Sequence, residues 1–208
     1  MFELGCDLIM IDGAIDRKSI ASPETSDAII LSTGAVLSRS MKKVVEETAH
    51  VVHLYSLPEF DEDDRVTEFI RQDNCEHIIA FNASGEGKVL DLVTGLGNAK
   101  YIDDAIEEDT KYIFIPGAFT NSVVADISNR HLKQVEFILK DPTKIFINIM
   151  DWGQLRKRGF KVKVLKNIDI AAITVNPWAP QGYTFDSDFL IESMQKLLPD
   201  MPIIDVRK

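Results

Sequence analysis

The sequence predicts an α/β protein, a mostly parallel sheet with helices on both faces in a Rossmann-like arrangement. Three observations lead there. Short runs rich in Ile, Val and Phe recur along the 208 residues, and segments with helical apolar spacing separate most of them. Loops rich in Gly, Ser, Thr and Asn follow many of the runs, where strand-to-helix turns of a parallel sheet would fall.

The elements follow in chain order. Strands are predicted at Leu8 to Ile11 and Ala28 to Leu31. SRSMKKVVEET, residues 38 to 48, reads as a helix, because a serine cap precedes Met41, Val44 and Val45 on one face and charges hold the other. A strand is expected at Val51 to Tyr55, then a helix from Glu62 to Arg71 with Val66, Phe69 and Ile70 facing the core. Further strands are expected at His77 to Phe81, Tyr112 to Ile115, Val135 to Leu139, Lys161 to Leu165 and Ile170 to Val175. A helix capped near residues 186 to 188 carries Phe189, Leu190, Met194, Leu197 and Leu198 until Pro199 ends it, and a last strand covers Ile203 to Val206. The acidic stretch PEFDEDDR, residues 58 to 65, suits the positive end of a helix dipole and marks the expected division into segments 1–60 and 61–208.

Composition narrows the function. The chain is 45% hydrophobic and 27% charged, which suits a packed globular protein. Its 33 acids against 23 bases leave a net charge of -10, which disfavours nucleic acid or an anionic membrane surface as the main partner. The basic run QLRKRGFKVKVLK, residues 154 to 166, reads as a helix end leading into an edge strand guarded by lysines. Cys6 and Cys75 lack the spacing of a zinc site or a disulfide framework, and no apolar run of about 18 residues is present, so a reducing cytoplasm and no membrane partner are expected.

In a parallel sheet the loops after the strand carboxyl ends share one edge, and ligands bind in the crevice between them. Here they are DGAIDRKSIASPE, STGAVLS, NASGEGK, PGAFTNS, KDPTKIF and NPWAPQGYTFD. The second and last contribute Thr33 and Asn176 to the candidate ligand edge. NASGEGK misses the phosphate loop, since Lys88 is followed by Val89 and the glycine spacing is wrong; TGLGNA falls short of GxGxxG, and GxSxG does not occur. The four histidines fall outside the crevice loops and read as surface or packing residues. What remains is the first loop. Asp12 ends a strand where a magnesium ion beside a nucleotide is commonly held, and Gly13, Asp16, Arg17 and Lys18 follow; equally, Asp16 could pair with Arg17 or Lys18 in a merely polar turn.

CDLIMIDGAIDRKSIA and SDAIILSTGAVLS resemble the second half of a dethiobiotin-synthetase-like P-loop NTPase domain. More closely, DGAIDRKSIASP, ILSTGAVLSRSMKKVVEET, YIFIPGAFT, DPTKIF and ITVNPWAPQGYTFD look like the C-terminal portion of the lysine 5,6-aminomutase reactivase family, over nearly the whole chain. The resemblance implies an accessory, chaperone-like protein that uses ATP to help a cobalamin- and pyridoxal-phosphate-dependent mutase shed its damaged cofactor, with aminomutase subunits as partners. It also implies an upstream half carrying the phosphate loop, so ATP and Mg²⁺ would be bound only with that half, completed by Asp12, Gly13, Asp16, Arg17 and Lys18, and the present chain reads as a fragment. Segment 1–60 would then be the second half of the NTPase-like unit.

Two other readings compete. In a stand-alone enzyme Arg17, Lys18 and Lys144 would hold a small anionic metabolite, Asp12 or Asp151 would serve as base, and Asn176 with Tyr183 would orient the substrate. In a non-catalytic interaction module, Trp178, Tyr183 and Phe185 of the proline-stiffened last loop would anchor a partner or a homo-oligomer.

Overall fold

The computed structural model describes residues 5–12, 18–74, 76–92 and 95–208. It has the α/β, Rossmann-like architecture, with its strands divided between two sheets. The larger sheet has the order β3-β2-β4-β5-β6, from β2 (Ile78–Asn82), β3 (Gly87–Leu90), β4 (Thr110–Ile115), β5 (Glu136–Leu139) and β6 (Lys161–Val164). β4, β5 and β6 run parallel, whereas β2 is antiparallel to both β3 and β4. The smaller sheet is wholly parallel: β1 (Ile29–Gly34), β7 (Ile170–Asn176) and β8 (Ile203–Asp205), with β7 in the middle. Segment 1–60 thus supplies one strand to a sheet whose other two come from 61–208.

The near-continuous apolar strands of the larger sheet are buried on both faces, as crossover topology requires. On one face, Phe81, Tyr112, Phe114 and Ile138 pack beneath α2 (Asp64–Gln72) through its Val66 and Ile70. On the other, Ile113, Phe137 and Val162 join a core that continues without a break under the smaller sheet. There α1 (Met41–Tyr55) and α7 (Ser187–Leu197) contribute Val44, Val45, Val52, Leu190 and Met194 against Ile173 and Val175. Shorter helices complete the set: α3 (Ala99–Asp104), α4 (Asn121–Val124), α5 (Asn129–Gln134) and α6 (Ile149–Lys157).

The structure departs from the sequence reading in three places. The segment Val51 to Tyr55 is the end of α1 and not a strand: Val45, Thr48, Val52 and Tyr55 continue one buried helical stripe, which outweighs the local β preference of the valines. Gly87 and Lys88, read as the end of a crevice loop, begin a hairpin strand on β2, Gly87–Leu90. Leu8 to Ile11 has no strand pairing and lies exposed.

The polar segment after it is tied down further along. Ser22 donates from its hydroxyl to Asp141 Oδ2 (3.3 Å), while the Thr143 amide (2.8 Å) and hydroxyl donate to Oδ1. A buried carboxylate with three donors is satisfied, and it fastens the chain before β1 to the turn after β5. Burial pushes the nearby Tyr55 phenol above its usual range, and the Asp141 charge adds to the effect.

Candidate functional site

The smaller sheet positions the site. Among the described residues β1 pairs only with β7, so its other edge carries backbone groups with no strand partner there; that edge borders an open cleft of about 340 Å³. Leu31, Ser32 and Thr33 form one wall, Glu47, His50 and Val51 of α1 another, and Asn148 with Ile149 the third. The His50 ring nitrogen Nε2 lies 3.2 Å from the Ile147 carbonyl, and the ring meets Trp152 edge-on. Thr33 is half-buried, its hydroxyl 2.8 Å from that of Thr48, which pins β1 to α1.

At the carboxyl end of this sheet, Gly34 lies opposite Asn176. The backbones approach so closely that a Cβ on Gly34 would stand 2.2 Å from the Asn176 carbonyl oxygen; only glycine fits. The Asn176 side chain accepts from the Trp178 amide (3.0 Å), fixing the start of the aromatic loop. That loop closes on itself through a Trp178–Thr184 bridge, and Tyr183 donates its hydroxyl proton to the Ala35 carbonyl. Arg39 stacks over Tyr183 and Arg207 over Trp178, so two guanidinium groups, each held by an aromatic face, stand at this edge. The Ser187 hydroxyl and then the Arg207 amide outweigh the burial of Asp205 and hold its carboxyl below the ordinary range. The edge therefore combines cationic and amide groups suited to an anion with a polar and apolar cleft beside it.

The structure sets two of the residues expected from sequence, Thr33 and Asn176, at the carboxyl ends of neighbouring strands, Thr33 bonded to Thr48 of α1 and Asn176 to the Trp178 amide on the other face of the sheet. Asp12 is exposed and belongs to no strand. Gly13, Asp16 and Arg17 lie outside the described residues, and Lys18 opens a short 3-10 turn, Lys18–Ala21. Among the described residues, no three His, Cys, Asp or Glu side chains come together as a metal site. Of the residues considered for the enzymatic reading, Asn176 and Tyr183 lie at the carboxyl edge, and Asp151 bonds Asn148 of the cleft wall. Asp151 accepts from the amides of Asn121 (2.5 Å) and Asn148 (2.7 Å), and Lys144 is half-buried in the turn after β5. Sequence reasoning missed Glu47 and His50, one turn apart on α1, and Asn148, the N-cap of α6 about a hundred residues further on, which share the cleft only in the folded chain. The helical period of α1, extended to Tyr55, was the signal that could have found the first two.

Two further features bound the site. The second face of the smaller sheet carries Ile30 (63% exposed), Ser32, Ala172, Thr174 and Ile204 (54% exposed), and no helix covers it among the described residues. A smaller cavity of about 220 Å³ lies at the opposite end of the sheet between Asp27, Glu59 and Lys166. Among the described residues, no helix is long and apolar enough to cross a membrane. Compared with protein-family models, curated proteins and solved structures, the chain matches none of them.

Proposed function

We propose that this chain is an accessory, reactivating protein for a cobalamin-dependent lysine aminomutase, working through contacts with other polypeptides and with a nucleotide held partly outside these residues. The sequence resemblance supplies the mutase. One structural observation carries the rest: a wholly parallel sheet with one face and one edge left open. Parallel sheets are otherwise found covered on both faces, so this one is suited to receive a second protein layer. The carboxyl edge, with Thr33, Asn176, Arg39 and Arg207, is where such a fold takes an anionic ligand. ATP and Mg²⁺ would be bound only together with a phosphate-binding half, and the work is proposed to take place in the cytoplasm.

The experiment is recovery of activity. Lysine 5,6-aminomutase inactivated by turnover is incubated with ATP, Mg²⁺, fresh adenosylcobalamin and a phosphate-loop protein, with and without this chain. Faster recovery in its presence is expected; recovery unaffected by the chain contradicts the reading.

The two arginines at the carboxyl edge favour a second reading, a site for a small anionic metabolite among Arg39, Asn176 and Arg207 without any mutase. Thermal stabilisation of the chain by such a metabolite alone would favour it.

A further inference from the structure

We infer that Leu8–Ile11 forms an additional parallel strand on the open edge of β1, fills the cleft there, and brings Asp12 to the carboxyl edge beside Gly34. The strand would form whether or not a mutase is the partner.

The open edge needs an occupant. Past the irregularity at Ile29/Ile30, Leu31 pairs with Ile173, whose amide donates to Pro202 on the β8 side (2.8 Å), so it is Leu31 and Thr33 that bond β7 while the backbone groups of Ile30 and Ser32 turn toward the cleft. A wholly parallel edge strand with a half-apolar groove alongside is an adhesive feature, and natural proteins cover such edges. The cleft floor offers Leu31, Leu37, Val51 and Ile149 to incoming side chains.

Leu8–Ile11 has the composition for this place. Four consecutive apolar residues stand 75%, 38%, 85% and 52% exposed, an arrangement that water disfavours. With Leu8 beside Ile30 and Ile11 beside Thr33, alternation directs Ile9 and Ile11 into the cleft, and Leu8 and Met10 onto the open face next to Ile30 and Ser32.

Chain length and handedness agree with a parallel pairing. The connection, residues 12 to 28, exceeds the dozen or so residues a parallel crossover requires. Residues 12 to 17 span about 20 Å when extended, ample to return along a stretch of about 10 Å from Thr33 to Ile30. Crossovers between parallel strands are right-handed, so strands added in one direction across a sheet keep their connections on one face. α1 and α7, which follow β1 and β7, both lie on the core face. The anchored part of the earlier connection lies there too: Ala21 packs against the same core and Ser22 bonds Asp141. A strand order with Leu8–Ile11 outside β1 therefore continues the existing rule.

The consequence is chemical. One residue past Ile11, Asp12 would stand level with Gly34 and adjacent to Thr33, on the edge that already holds Asn176. Asp12 would then join Asn176 at one polar edge.

Hydrogen exchange on the full chain tests this. The amides of Ile30 and Ser32 are expected to be protected roughly 100-fold or more relative to the I9D/I11D variant, while Ile173 and Val175 exchange equally slowly in both. Because Ile9 and Ile11 are exposed in the described conformation, equal exchange at Ile30 and Ser32 in the two proteins would overturn the inference. A second measurement uses M10C/S32C in a C6S/C75S background, where neighbouring parallel strands lie within disulfide reach. An intramolecular disulfide in the monomer is expected. Failure to form it, or a disulfide linking two copies with protection that rises with concentration, overturns the inference, the latter by assigning the strand to a second copy.

Discussion

Gly34 shows how one position couples fold and site. Its Cα hydrogen faces the Asn176 carbonyl so closely that any larger side chain must drive β1 away from β7. Gly34→Ala is therefore expected to destabilise the protein by about 1–3 kcal/mol, read as a lower urea midpoint at unchanged slope. A midpoint equal to that of the native protein would show that the two strands separate freely here. Nothing in STGAVLS announced this constraint, because the partner backbone lies far along the chain; Thr33 and Asn176 were legible as strand-end polar residues, but not as neighbours. Asp12 was legible as an acid ending an apolar run, and its role depends on where that run settles.

At the scale of elements, polar pairs fasten the short helices. Asp103 at the end of α3 receives the Ser128 amide (2.9 Å) and lies 2.6 Å from the His131 ring of α5. Partial burial pushes the Asp103 carboxyl up, but the Ser128 amide and the His131 ring outweigh it and hold it below the ordinary range. A carboxyl depressed in the folded state adds stability above its unfolded pKa, about 4, and loses it as pH falls through the folded value. Asp103→Asn is thus expected to lower the urea midpoint at pH 7, with the gap to the native protein closing below about pH 4. A gap independent of pH would refute the ionic contribution. The larger sheet was readable because its strands are continuous apolar runs buried on both faces. β3 was not, since GKVL is short, half-exposed and opens with glycine. The end of α1 was misread because Val51, Val52 and Tyr55 suit a strand locally, and the buried stripe begun at Val44 and Val45 decides the matter only when followed for two more turns.

For the whole molecule, the two sheets share one core while the parallel sheet keeps one face outward. Ile30, Ala172 and Ile204 there are joined by exposed Val206 and, in the proposed strand, by Leu8 and Met10. An apolar stripe of this kind on a chain of net charge -10 is suited to a protein partner and unsuited to nucleic acid. The sequence announced the helices and strands around this face, yet not its openness, because alternation in Ile29–Gly34 reads alike whether a strand faces water or another protein.

The most direct test of the central claim is sedimentation velocity on the purified chain mixed with lysine 5,6-aminomutase. A complex is expected at micromolar concentrations, weakened about tenfold or more, some 1.4 kcal/mol, in the I30E/I204E variant that keeps its fold. If the native chain forms no complex, or the variant binds as tightly as the native chain, the open sheet face is not the docking surface of a mutase-reactivating protein.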